Sequence, residues 1–113
     1  MTHNDKRIHL IEKADMFERL SDGSYESGYW ALFPATAQAL VGGDIYFHET
    51  RAKPSFFGGT IIGFRAQPLG EYKGRIIFHL KPDKGHKGIM AGAGGFQSEK
   101  KVARSKGPAS IRD

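Results

Sequence analysis

The sequence predicts one α+β domain built on a small, partly closed sheet with two short helices. Residues 44–49, 60–66 and 75–81 alternate between apolar and polar side chains, which is the period of a half-buried strand. The chain also combines 15 glycines with 12% aromatic residues. That pairing suits strands joined by tight turns, because glycine adopts positive φ and aromatic rings fill a pleated surface. The length of 113 residues fits a single domain over residues 1–96, with a flexible basic tail over residues 97–113.

The N-terminal third predicts a short strand, a short helix and an aromatic strand, in that order. Residues 8–11 alternate weakly and predict the short strand. Asp15 with Glu18 three residues later resembles a capping box, so a helix is expected until the turn residues 21–24. Residues 29–33, Tyr-Trp-Ala-Leu-Phe, predict the aromatic strand.

The middle of the chain predicts a second short helix and a long connection between strands. Pro34 favours the first turn of a helix and the Gly-Gly pair at 42–43 favours its end, so residues 35–41 are expected to be helical. The first two alternating strands are separated by residues 50–59, which is long for a hairpin. Long loops in compact domains often carry function. Residues 85–95 are rich in glycine and are interpreted as a flexible connection.

Several functional classes are disfavoured by what the sequence lacks. The absence of cysteine excludes a disulfide framework, a thiolate nucleophile and a Cys-ligated zinc site. No apolar run approaches about 18 residues, and the first residues lack the apolar core of a signal peptide. No phosphate-binding Gly-Lys-Ser/Thr ending and no nucleophile elbow is present. We therefore expect a cytoplasmic protein that has no membrane contact, no cofactor and no metal. We expect it to be a binding module, with an enzyme as the alternative.

The positive charge is concentrated in the second part of the chain. Residues 1–40 carry four Lys or Arg against six Asp or Glu, a net charge of −2. Residues 41–113 carry 13 against six, a net charge of +7. A concentration of basic charge is the pattern expected of a protein that binds nucleic acid, although many small proteins are basic without such a partner.

The segment from residue 25 to residue 81 resembles the PUA-like superfamily of small β-barrels, which includes the EVE and ASCH domains. The resemblance lies in Tyr29-Trp30-Ala31-Leu32, in the Gly-Gly-Asp turn before the strand at 45–48, and in the Gly-x-Ile-x-Gly-like strand at 59–65. It implies a small, mostly antiparallel, partly closed β-barrel. It also implies recognition of RNA or of a modified nucleobase in a pocket near the central sheet.

The loop at residues 50–59 contains the first set of candidate ligand contacts. Arg51 and Lys53 are able to meet phosphate, while Phe56 or Phe57 is able to stack on a base. The alternative is a surface loop whose phenylalanines cap the core. In the aromatic strand, one of the adjacent Tyr and Trp residues is expected in the core and the other on a pocket wall. The predicted ligand-contacting residues are Tyr29, Trp30, His48, Arg51, Lys53, Ser55, Phe56, Phe57 and Arg65.

Two further arrangements, one of histidines and one of lysines, would support metal binding or catalysis. A metal or general-base site would require His48 to meet His79, but the sequence has no metal-ligand spacing. The resemblance to ASCH-type hydrolases raises the alternative of a small hydrolase of modified nucleosides or amides. Such an enzyme would need Lys53 or Lys73 in a closed pocket, together with Thr50 and a glutamate. The candidates for this glutamate are Glu49 and Glu71.

A third alternative is a protein-interaction domain, either an inhibitor or an adaptor. An exposed sheet edge would also allow homodimerisation. The leading expectation remains a nucleic acid or nucleotide-like ligand as the partner, with DNA and RNA equally open.

Overall fold

A computed structural model describes residues 6–12, 17–91 and 100–104. These residues form seven strands, one α-helix and one turn of 3-10 helix. The elements are β1 (Lys6–Ile11), β2 (Phe17–Arg19), β3 (Tyr25–Trp30), α1 (Pro34–Leu40), β4 (Asp44–His48), β5 (Phe57–Ala66), β6 (Ile76–Pro82), the 3-10 turn (Lys84–His86) and β7 (Lys100–Arg104).

The seven strands form one mixed sheet in the order β2-β3-β6-β5-β4-β1-β7. Strands β1 and β4 are parallel, and the other five neighbouring pairs are antiparallel. The α+β class is therefore confirmed. The expected partial closure into a barrel is not found among the described residues, because β2 and β7 occupy opposite edges of the sheet with five strands between them.

One face of the sheet carries the hydrophobic core and packs against α1. Side chains alternate along each strand, so every second residue of β1, β4 and β6 points to this face. Helix α1 contributes Ala37 and Leu40, both fully buried. The core residues on the strands are Ile8, Leu10, Trp30, Ile45, Phe47, Ile61, Ile76, Phe78 and Leu80.

Most of the elements predicted from local pattern are confirmed. The strands predicted at 8–11, 44–49, 60–66 and 75–81 are found with shifts of a few residues at their ends. The helix predicted at 35–41 is α1, which begins at Pro34. It is followed by Gly42 with a φ of 91°, a conformation that glycine adopts without steric cost.

The helix predicted to begin at Asp15 is wrong for residues 17–19, which form β2, and residues 13–16 lie outside the described residues. Phe17 explains the difference, because its ring packs edge-on against Phe47 at 4.7 Å between centroids. This long-range aromatic contact outweighs the weak local helix signal. The chain then reverses at Gly23, with a φ of 89°, to pair β2 with β3.

Two other predictions differ from the structure in their boundaries. The aromatic strand was expected at residues 29–33, whereas β3 covers Tyr25–Trp30 and leaves the Phe33 side chain 79% exposed before α1. Part of the segment expected to be a flexible tail, Lys100–Arg104, forms the edge strand β7 against β1. Its Lys-Lys-Val-Ala-Arg sequence suits an edge, where charged residues are common.

The second face of the sheet is polar and is partly covered by loops. The segment after β6 crosses β4 and β5 here, since His86 bonds to Asp44.

Among the described helices, none has the length and apolar composition to cross a membrane.

Candidate functional site

A cavity of about 280 Å³ opens on the polar face of the sheet, beside the β2–β3 hairpin. This volume lies near the lower limit of ligand pockets and suits a single small ligand. Strands β2, β3, β5 and β6 all contribute to its walls. The lining residues are Phe17, Glu18, Glu26, Gly28, Tyr29, Arg65 and Ile77.

An ion pair between Glu26 and Arg65 crosses the cavity lining. Arg65 Nε and Nη2 donate to the two carboxylate oxygens of Glu26, each at 3.0 Å. Because β6 lies between β3 and β5, the two side chains reach each other over the strand that separates them. The hydrogen bond from Arg65 is the main reason that the pKa of Glu26 is lowered from its ordinary value of 4.5. Glu26 is therefore a carboxylate at neutral pH.

Glu18 adds a second carboxylate to the same wall. It lies directly opposite Glu26 in the β2–β3 register. The pKa of Arg65 is raised mainly by its hydrogen bond to Glu26, and the nearby charge of Glu18 raises it further. The lining thus contains two carboxylates and one guanidinium, which is one negative charge in excess. Like charges directly opposite each other destabilise a strand pair, while the attraction of both carboxylates to Arg65 opposes that effect.

An aromatic stack supports one wall of the cavity. The Tyr29 ring lies parallel to the Tyr72 ring, at 4.6 Å between centroids and 5° between planes. The Arg75 guanidinium lies 5.6 Å from the centroid of the Tyr72 ring, and its Nη1 donates to the Tyr29 carbonyl oxygen at 3.5 Å. With its ring held by Tyr72, Tyr29 offers a fixed aromatic surface at the cavity.

Tyr29 and Trp30, adjacent in sequence, have different environments. Tyr29 is half-buried and borders the cavity, whereas Trp30 is buried in the core, where its Nε1 donates to Ser27 Oγ at 3.0 Å. The chain changes register between Ser27 and Trp30, at a cis peptide between Gly28 and Tyr29. One of the two aromatic residues thus lies at the cavity and the other in the core.

The predicted cations of the β4–β5 loop are not among the residues that line this cavity. Arg51 and Lys53 are exposed, and Lys53 pairs with Glu49 at 3.2 Å. The loop precedes the first residue of β5, while Arg65 is near the other end of that ten-residue strand. At about 3.3 Å per residue, the two ends are roughly 25 Å apart.

Ser55 fastens the same loop to the segment that follows the 3-10 turn. Its hydroxyl donates to the His86 carbonyl oxygen at 2.6 Å and accepts from the Ile89 N–H at 3.0 Å. Its backbone N–H donates to the Ile89 carbonyl oxygen, and its carbonyl oxygen accepts from Gly88. Ser55 is 4% exposed, so it acts here as a structural hydrogen-bonding centre.

Phe56 and Phe57 pack against the edge of the core. Both are half-buried, and their rings meet Phe17 edge-on, at 6.3 Å and 5.3 Å between centroids. Phe17 also borders the cavity, so these two rings contact a residue of the cavity lining without lining the cavity themselves. The alternative interpretation of the loop, in which its phenylalanines cap the core, describes their packing.

His48 is fully buried and belongs to a second polar cluster on β1 and β4. Its Nδ1 donates to the Lys53 carbonyl oxygen at 2.8 Å, because a carbonyl oxygen only accepts. In the neutral ring Nε2 is then the acceptor for His9 Nδ1–H, at 2.9 Å. His48 does not meet His79, since β5 separates their strands and His79 Nε2 bonds to Ser24 Oγ instead.

A column of three stacked rings adjoins this histidine pair. Tyr46 lies between His9 and His86, with centroid distances of 4.8 Å and 4.9 Å. Burial, with a smaller contribution from Asp44, raises the pKa of Tyr46 above its ordinary value of 10.0. His86 Nε2 lies 2.9 Å from Asp44 Oδ1. In the described part of the chain, no group of three or more His, Cys, Asp or Glu residues is placed to hold a metal ion.

Sequence reasoning identified Tyr29 and Arg65 but missed Glu18, Glu26 and Tyr72. The available signal was the Asp-Gly dipeptide at residues 22–23, which favours a hairpin turn. The hairpin in the structure is centred on Asp22, since Leu20 bonds to Ser24, and this register places Glu18 opposite Glu26. A two-residue turn at 22–23 would instead have placed Glu18 opposite Ser27. The stack between Tyr29 and Tyr72 has no local signal, because it joins residues 43 positions apart.

Comparisons of the chain with protein-family models, with curated proteins and with solved structures gave no match.

Proposed function

We propose that this protein is a non-catalytic nucleic-acid-binding module that accepts one unstacked base in the cavity beside Tyr29. The observation that carries the proposal is the Tyr29–Tyr72 stack, which holds an aromatic ring at the wall of a cavity sized for a single base. Proteins that bind single strands or extruded bases use aromatic rings in this way.

The charge of the chain supports a polyanionic ligand. The net charge is +5, and Arg75 lies next to the aromatic stack, where it is placed to meet the phosphate of a base bound at Tyr29. Arg51 and Lys53 do not line the cavity, so they would contribute attraction to neighbouring nucleotides rather than contact with the base.

A binding role is favoured over the hydrolase alternative by the positions of the lysines. Lys53 is 63% exposed in its side chain and paired with Glu49, and Lys73 is also exposed. Among the described residues that line the cavity there is no lysine. A lysine that serves as a base or nucleophile needs a site shielded from water, whereas both of these side chains are exposed.

The finer fold assignment, a PUA-like domain, is part of the same proposal. Its support is the order of elements, in which α1 leads through the Gly-Gly-Asp turn into β4 and then, after a loop, into the glycine-containing β5. A crystal structure of the full chain would test it. Strand pairing that joins the two edges of the sheet is expected, and an open sheet throughout the chain would contradict the assignment.

The function is tested by the fluorescence anisotropy of labelled single-stranded RNA and DNA oligonucleotides of mixed sequence. The parent protein is expected to bind, with affinity that decreases as salt increases. Tyr29→Ala is expected to weaken binding by about 1–3 kcal/mol, the value of one stacked base, and Tyr29→Phe to retain most of the affinity.

The matched control is Phe33→Ala, which removes an exposed aromatic ring outside the cavity lining. Circular dichroism of each variant verifies the fold. Absence of binding by the parent protein, or equal losses for Tyr29→Ala and Phe33→Ala, would reject the proposal.

A further inference from the structure

The charge of the cavity and the charge of the whole chain have opposite signs. The lining has one excess negative charge, from Glu18 and Glu26 against Arg65, while the chain has a net charge of +5. A free phosphate is attracted by the net charge of the chain but repelled by the charge of the cavity, and the reverse holds for a cation. A polyanion whose rings present N–H donors is compatible with both, because its charges are attracted to the chain and its N–H groups are able to donate to the carboxylates of the cavity.

We propose that the cavity selects bases that carry an exocyclic amino group, guanine before adenine and cytosine, and rejects uracil and thymine. This inference rests on the proposed function of the same cavity. Its structural basis is the pair of carboxylates beside Tyr29, whose ring holds the base plane next to them.

The selectivity follows from the hydrogen-bonding capacity of each group. An ionised carboxylate only accepts hydrogen bonds, and Glu26 stays ionised because Arg65 lowers its pKa. Guanine presents the adjacent N1–H and N2–H donors, which match the two oxygens of one carboxylate. Adenine and cytosine each present one amino group. Uracil and thymine present a single N–H between two carbonyl oxygens, and these oxygens would face the carboxylates without a hydrogen atom between them.

Glu18 is the carboxylate best placed to contact the base. Both oxygens of Glu26 already accept from Arg65, whereas Glu18 is exposed at the opposite strand. Arg65 directs two of its five N–H donors to Glu26, and its others are suited to a carbonyl acceptor such as guanine O6. The wall therefore offers donor and acceptor groups side by side, as guanine requires.

A methylated ammonium on a peptide is the other occupant that an acidic, aromatic cavity could accept. The base is favoured because Tyr29 is held as one flat surface by a parallel ring, which suits a planar ligand, and because the positive chain repels basic peptides. Binding of a trimethyl-lysine peptide in preference to all oligonucleotides would overturn the inference.

The experiment measures dissociation constants for oligothymidine strands that carry one central guanine, adenine, cytosine, hypoxanthine or thymine. Guanine is expected to bind most tightly, and hypoxanthine, which lacks only the amino group, on the order of 10-fold more weakly. Glu18→Gln is expected to reduce the ratio between guanine and thymine by a similar factor, since the amide replaces one acceptor with a donor.

Glu49→Gln is the matched control, because it makes the same charge change on the β4–β5 loop and is expected to leave the ratio unchanged. Equal affinity for all central bases, or an unchanged ratio in Glu18→Gln, would overturn the inference and leave the proposed function standing if Tyr29→Ala still weakens binding. Failure of the parent protein to bind any strand would reject both.

Discussion

Glu18 on β2 lies directly opposite Glu26 on β3, and Arg65 binds the Glu26 carboxylate through two hydrogen bonds of 3.0 Å. Two carboxylates therefore share one guanidinium at the wall of the cavity. Such an arrangement lowers stability to the extent that the repulsion between the two carboxylates exceeds their attraction to Arg65. It has measurable consequences with and without ligand.

Glu18→Gln is expected to stabilise the free protein. Removing one of two opposed like charges should raise the free energy of unfolding by about 0.2–1 kcal/mol in urea denaturation at neutral pH. Glu49→Gln removes a favourable exposed pair with Lys53 and should lower the free energy of unfolding by about 0.2–1 kcal/mol. Equal losses of stability in both variants would contradict the proposed repulsion.

The Glu26–Arg65 pair is expected to make stability depend on acid pH. The folded-state pKa of Glu26 lies below 4.5, first because of its hydrogen bond to Arg65. A lowered pKa stabilises the folded state above the ordinary value, and this contribution is lost as pH falls through the folded-state pKa. Because the Arg65 side chain is half-exposed, we expect the pair to contribute about 0.5–1 kcal/mol to the free energy of unfolding.

The measurement compares the unfolding free energies of the parent protein and Glu26→Gln from pH 7 to pH 3. Their difference should be constant above about pH 4.5 and should shrink below it. Carboxyl titration by NMR gives a direct check, in which Arg65→Gln raises the pKa of Glu26. An ordinary pKa of Glu26 in the parent protein would exclude this role for the pair.

Ser55→Ala is expected to loosen the β4–β5 loop without affecting the cavity. The variant loses the hydrogen bonds to the His86 carbonyl oxygen and from the Ile89 N–H, both in a buried setting. A decrease of about 1–3 kcal/mol in the free energy of unfolding should result. Ser21→Ala, at an exposed turn position, should stay near the parent value. A Ser55→Ala protein with parental stability would show that its hydroxyl is dispensable.

Gly23→Ala is expected to destabilise the β2–β3 hairpin through backbone strain alone. Gly23 has a φ of 89°, and no atom would lie within 4 Å of an added Cβ. The cost should be about 1 kcal/mol, that of placing a side chain in the left-handed region. Gly63→Ala is the control, because its surroundings are equally open and its φ is not positive. Similar stabilities of the two variants would argue against the turn conformation.

Local pattern was sufficient for the longer elements. The strands near 44–49, 60–66 and 75–81 and the helix α1 follow from polarity alternation and from Pro34 before the helix. Pattern was insufficient for β2, because three residues are too few to show a period. The capping-box resemblance of Asp15 and Glu18 was outweighed by the packing of the Phe17 ring.

The candidate site was predicted in parts that the fold then separated. Tyr29 and Arg65 border the cavity, while Arg51, Lys53 and Ser55 are at the far end of β5, and Trp30 and His48 are buried. These separations depend on strand order, which local sequence does not specify.

By itself, the sequence determined the class of the fold, the positions of most strands and the excess of positive charge. Each of these depends on residue type and on spacing within one segment. The tertiary structure alone decided that Glu18, Glu26, Tyr29 and Arg65 would share one cavity. The reason is that β6 pairs between β3 and β5, and this order results from burying apolar faces that are distant in the chain.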